Sequence, residues 1–170
     1  MHMLRQFVLV TGALLILWFG GRALWYALSG DEDQIAWVLD EMVDGFNDTR
    51  MRSVLGGFSR DFRDESSGAT RAEVHQALAS LFMSELDPET KEFLLRVELP
   101  TDDLEIDLVE GTGDEPSRAK LVLHPRFTTR ESGTEELYWD ATVHVEMVEG
   151  DDGWQLVRTS QVNHADRRDD

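Results

Sequence analysis

The 170 residues carry 34 acidic side chains against 16 basic ones and no cysteine, enough chain for one domain and an appendage. Without cysteine there is no disulfide, no thiolate metal site and no cysteine nucleophile. Residues 31–170 hold all 34 acids and 14 of the bases, a net charge of −20, which argues against nucleic acid or anionic lipid as a partner.

Phe7 to Leu28 is an apolar run of 22 residues interrupted once, by Arg22. A helix needs about 20 residues to span a bilayer. Arg22 lies near the far end, where it can snorkel toward the headgroups, and Trp18, Trp25 and Tyr26 suit a membrane interface. Arg5 precedes the run and Asp31-Glu32-Asp33 follows it. The positive-inside tendency then leaves the amino terminus in the cytoplasm and the domain outside the cytoplasmic membrane. Residues 1–29 are predicted as a stub and single-pass signal anchor (membrane partner residues 7–28), 30–165 as an α+β domain and 166–170 as a charged tail. The competing reading is a cleaved signal peptide with a small-residue site near Ala27-Leu28-Ser29. The aromatic residues and Arg22 beside that site weigh against it.

Asp31 or Asp33 can cap the next helix, with acids in its first turn. Ile35, Val38, Leu39, Met42, Val43 and Phe46 recur at helical spacing. A short second helix carries Met51, Val54 and Leu55 and stops at Gly56-Gly57, and Phe58 to Phe62 follows as a compact segment. Thr70-Arg71-Ala72-Glu73 is a capping box. It opens a third helix with Val74, Leu78, Leu81, Phe82 and Leu86 inward, ended by Asp87-Pro88.

About five antiparallel strands then follow. Leu95, Val97 and Leu99 alternate with polar residues, as do Leu104, Ile106 and Leu108. A third strand starts at Arg118. In the fourth, Leu137, Trp139, Ala141, Val143, Val145 and Met147 share one face, and no acid interrupts them. Charge sets the register. With Arg130 opposite Glu136, Arg126 meets Asp140 and Lys120 meets Glu146, while Phe127 meets Trp139, Leu123 meets Val143 and Leu121 meets Val145. Each such pair contributes about 0.2–1 kcal/mol. The fifth strand continues the apolar face at Trp154 and Leu156, and parity then puts Arg158 and Ser160 inward.

This order of elements, with its Thr-Arg-x-Glu helix start and the closing Trp154-Gln155-Leu156-Val157-Arg158, resembles the nuclear transport factor 2-like superfamily, which includes ketosteroid isomerase and the polyketide cyclases. The resemblance covers roughly residues 33–163. It implies a cone-shaped, curved antiparallel sheet wrapped around about three N-terminal helices, with a pocket at the open end. The isomerases of that superfamily carry an inward acid on the sheet as proton base, and the inward row here has none.

An inward Arg158 needs a partner. A helix acid such as Asp40, Asp44 or Asp48 gives a structural ion pair, and an open pocket gives, with Ser160, a hold on an anionic ligand. His75 flanks the third helix as a candidate acid or base, although a histidine so placed more often sits half-exposed and inert. Trp37, Phe58, Phe62, Phe82 and Trp139 can line an apolar pocket or form plain core. His124 and His144 sit on the polar sheet face without metal-ligand spacing. No phosphate loop or nucleophile elbow is present, so no metal or cofactor is expected. Tyr138, Thr142, His144, Gln155, Thr159, Gln161 and Asn163 make the outer face polar and uncharged, which suits a homodimer. Three functions stay open. One is a membrane-tethered, non-enzymatic module for a small apolar or anionic ligand or a protein partner. The second is an isomerase, cyclase or dehydratase using His75 and Arg158, and the third is a structural assembly domain.

Overall fold

The computed structural model describes residues 29–101, 104–113, 115–131 and 134–163. The apolar run 7–28 and the tail from residue 164 lie outside the described residues, and among those described no helix is long and apolar enough to cross a membrane. The chain divides between Gln34 and Ile35, and the second unit is the one built up below.

Among the described residues three helices precede most of the sheet. Helix α1 spans Asp31–Asn47 with three acids in its first turn, where they complement the helix dipole. Its buried residues Ile35, Val38, Leu39 and Phe46 follow the predicted stripe. Helix α2 (Met51–Gly56) packs back on α1 through Gly45. A Cβ at Gly45 would stand 2.6 Å from the Ser53 Cβ and 3.0 Å from the Val54 nitrogen. Helix α3 spans Arg71–Ser84. At its start Glu73 accepts hydrogen bonds from the Thr70 N–H at 2.7 Å and the Thr70 hydroxyl at 2.8 Å. None of its residues is fully buried. Val74, Leu78, Leu81 and Phe82 rest on the core half-covered.

The strands are β1 (Phe58–Asp64), β2 (Leu95–Glu98), β3 (Ile106–Val109), β4 (Arg118–Leu123), β5 (Arg126–Glu131), β6 (Thr134–Gly150) and β7 (Gly153–Asn163). They form a seven-stranded sheet in the order β1-β7-β6-β4-β3, with β5 also on β6 and β2 on β5. Two expectations change here. Phe58 to Phe62 is part of a strand, and it runs parallel to β7, so the sheet is mixed and has two strands more than predicted. The second extra strand arises where His124-Pro125 interrupts the run from Arg118, leaving β4 and β5 on successive parts of β6. Pro125 has no N–H to give a ladder.

The charge-based register holds over β4 and the start of β5. Lys120 faces Glu146, Leu121 faces Val145, Leu123 faces Val143, Arg126 faces Asp140 and Phe127 faces Trp139. Beyond Phe127 a bulge intervenes, so Arg130 meets Glu135 and not Glu136. Tyr138 is the extra residue. It packs on the core instead of lying on the outer face, and Leu137 ends 36% exposed.

Two apolar clusters fill the inner side. The first joins Ile35, Val38, Leu39 and Phe62 to Leu121, Val145, Met147, Trp154 and Leu156. The second gathers Phe46, Val54, Leu95 and Val97. Asn47 closes the edge of β2. Its amide donates to the Val97 carbonyl at 3.0 Å and accepts from the Val97 N–H at 2.8 Å, as a neighbouring strand would. Asn47→Ala strips both bonds from a half-buried edge, and a loss of about 1–3 kcal/mol is expected in urea denaturation. A loss below a few tenths would contradict this reading.

Candidate functional site

The site is set by one irregularity in β7. Leu156 pairs with Met147, and Arg158 with Glu146, so Val157 is an extra residue in the ladder. A bulge of this kind shifts the inside-outside phase of everything beyond it. Arg158 and Ser160 therefore lie on the outer face, opposite Glu146 and His144, and the inward placement expected from parity is corrected. The same shift puts Thr159 and Gln161 in register with the inward residues Val145 and Val143, and Val162 opposite Thr142. The outer face is thus more charged and more apolar than the sequence suggested.

Across that face a row of charges runs in register. Asp107 pairs with Lys120, Lys120 with Glu146, and Glu146 with Arg158. The Arg158 side chain is 63% exposed and stands 3.3 Å from Glu65 and 4.0 Å from Glu146. Glu146 also takes Arg118 at 3.1 Å. Asp40, Asp44 and Asp48 are not its partners. Asp40 instead accepts from Thr101 at 2.8 Å, and Asp48 pairs with Arg50 at 3.2 Å. Exposed pairs of this sort add at most about 1 kcal/mol each to stability. Their effect here is to set carboxylates beside the Arg158 guanidinium on the outer face.

These residues line a groove of about 870 Å³. Its walls are Glu105 and Asp107 at one end and Glu65, Arg158 and Ser160 at the other, with Lys120, Val122, His144 and Glu146 between. Glu65 is brought there by the turn after β1. Its N–H donates to the Thr159 carbonyl at 2.7 Å, and the Gln161 N–H donates to the Ser66 hydroxyl at 2.8 Å. Asp64 anchors the same turn. Partial burial alone would raise its carboxyl, but the Ser67 hydroxyl and N–H, at 2.6 and 2.8 Å, and the Thr159 hydroxyl, at 2.9 Å, outweigh it. Its pKa is held below the ordinary value. The stability this confers is present above the unfolded-state pKa, about 3.9, and is lost as pH falls through the lower folded-state value. Comparison of wild type with Asp64→Asn should show the largest gap near neutrality and a closing gap below about pH 4. A gap that widens on acidification would refute the assignment.

The other candidates lie elsewhere. His75 is exposed on α3 and is not among the residues lining the groove, so it is not brought together with Arg158 there. Trp37 and Phe58 rest on the first cluster beside Phe62. Phe82 stacks edge-on with Phe46 and Phe93, at 5.6 and 5.3 Å, and Trp139 lies 5.1 Å from Phe127. None of these aromatic residues lines the groove. His124 Nδ1 and the Thr142 hydroxyl are hydrogen-bonded at 3.3 Å, and His144 faces Val122. Sequence reasoning missed Glu65, Glu105 and Asp107 as site residues. The Lys120–Glu146 pairing, already legible, is the signal from which the row could have been extended to them.

No protein-family model matches this sequence, and no curated protein does. Solved structures match it in fold. A nuclear transport factor 2-like protein with a cystatin-like fold from Novosphingobium aromaticivorans is 14% identical, with 81% of this chain and 84% of that one covered and a TM-score of 0.61. A nuclear transport factor 2-like protein of unknown function from Pseudomonas putida is 12% identical over 81% of this chain and 89% of its own, with a TM-score of 0.57. A protein of unknown function from Mycobacterium tuberculosis is 13% identical over 78% of this chain and 70% of its own, with a TM-score of 0.58. At such identities the likeness is one of fold. The domain has a nuclear transport factor 2-like, cystatin-like α+β fold, with a mixed sheet in place of the antiparallel one that the resemblance implied.

Proposed function

We propose that this chain is a membrane-tethered, non-enzymatic binding module whose outer-face groove receives a ligand or protein partner. The observation that carries the reading is the groove itself. Arg158 is held between Glu65 and Glu146, and Lys120, His144 and Ser160 line the same concavity. Binding fits it better than catalysis, because a groove open on the solvent face of a sheet does not exclude water from a reacting group. The inner row of β6 offers no acid either, since Ala141, Val145 and Met147 are buried apolar residues. The tether is the run 7–28, with the domain on the far side of the cytoplasmic membrane.

Two measurements test this. Full chain expressed in bacteria should stay with membranes after a high-salt wash, and a mature protein beginning near Gly30 would refute the anchor. A photo-crosslinking residue placed at Val122 or His144 should give adducts in membranes that Lys120→Glu/Arg158→Glu abolishes. The same residue at Met83 on α3, which is 73% exposed, should give none of those adducts. Identical adducts from both places, or none from the groove, would sink the proposal.

A further inference from the structure

Among the described residues the sheet has three outer edges, and hydrogen bonds close two of them in part. Asn47 occupies the edge of β2. The turn after β1 folds back on that strand, with an Arg63–Thr70 bridge and the Asp64 N–H on the Ala69 carbonyl at 2.8 Å. Strand β3 pairs with β4 on one side, and among the described residues no hydrogen bond reaches its other side. An open edge is a template for another strand. Along β3 the faces are sharply different. Ile106 and Leu108 rest on the first core cluster. Asp107, and Glu105 just before the strand, are exposed at the end of the groove. Val109, at the end of the strand, is 59% exposed.

The charge pattern decides what can pair there. A second copy of this edge would set Glu105 and Asp107 against their own counterparts, and like charges across strands destabilise pairing. Each domain also carries −20 over residues 31–170. A strand alternating apolar and basic residues meets the opposite situation. Its apolar side chains extend the Ile106 and Leu108 row, and its basic ones face Glu105 and Asp107. The acids that reject self-pairing thereby select a basic partner. We propose that the free edge of β3 docks an extended basic segment of another protein, which joins the sheet as an added strand. This rests on the groove being a binding site, since Glu105 and Asp107 form one of its ends, but it does not need Arg158 or Ser160.

The test uses the full chain and a fluorescein-labelled nine-residue peptide alternating valine and arginine, followed by fluorescence anisotropy. Saturable binding is expected, at least about tenfold weaker for the valine–glutamate peptide, a difference of about 1.4 kcal/mol. Methylating every second backbone nitrogen should abolish binding in one phase and spare it in the other, because alternate N–H groups of an added strand face away from the edge. Glu105→Lys/Asp107→Lys should reverse the preference between the two peptides. No saturable binding, equal binding of both peptides, or indifference to methylation in either phase would overturn the proposal. If groove crosslinks at Val122 or His144 persist while the basic peptide fails to bind, the edge inference falls and the groove reading stands.

Discussion

Leu156→Asp is expected to prevent the domain from folding, while Arg158→Met, two residues further along the same strand, should cost no more than about 1 kcal/mol. Leu156 is buried in the first cluster among Phe62, Met147 and Trp154. A carboxylate there has no partner, and an unpaired buried charge costs several kcal/mol even after relaxation. Arg158 loses two solvent-exposed ion pairs when replaced, with Glu65 and Glu146. Residues two apart on an unbroken strand share a face, so without the bulge at Val157 both substitutions would strike the core. Urea denaturation of the two variants separates the cases. A large loss for Arg158→Met would place it inside, contrary to the structure.

Trp154→Ala is expected to cost about 3–5 kcal/mol and Trp154→Phe close to nothing. Trp154 is 1% exposed and follows the tight turn at Asp151-Asp152, where Gly153 takes a φ of +90°. Its ring is a large part of the first cluster, so truncation leaves a cavity that the two-sided packing cannot close. Its indole Nε1 is buried with no hydrogen-bond partner among the described residues. Phenylalanine removes that unsatisfied donor, which offsets the lost volume. A loss near that of alanine on changing Trp154 to Phe would show that the indole N–H has a partner in solution.

Much of this fold was legible because its signals are local. The alternation from Ala141 to Met147 marks the buried face of β6, and the Lys120–Glu146 and Arg126–Asp140 pairs set its register with β4 and β5. The start of α3 was legible in Thr70 and Glu73. The site was less so, because it depends on one residue more in β7 than in β6. Pattern matching runs through a bulge without registering it. The trace it left was that Arg158 and Ser160 stood where apolar residues belonged, while Val162 stood among the polar ones. Strand β1 was missed for a different reason. Its partner β7 lies about a hundred residues away, the pairing is itself irregular between Phe58 and Arg63, and Phe58-Ser59-Arg60-Asp61-Phe62 lacks period-2 alternation. Helix α3 looked like a core helix from its apolar spacing, yet it is only half-covered.

The bulge at Val157 turns Arg158 and Ser160 outward to build the groove, and paired cysteines test this most directly. The chain has no cysteine of its own, so introduced pairs report alone. His144 and Ser160 are opposite one another in the ladder, and so are Val145 and Thr159. Opposed residues on antiparallel strands bring their Cα atoms to roughly 4.5–5.5 Å, within reach of a disulfide. Under mild oxidation His144→Cys/Ser160→Cys should close a disulfide, seen as loss of both free thiols by mass spectrometry, and His144→Cys/Thr159→Cys should keep its thiols. The reverse result, with the 144/159 pair closing and the 144/160 pair staying reduced, would mean that β7 runs on without the bulge, and that Arg158 faces the core.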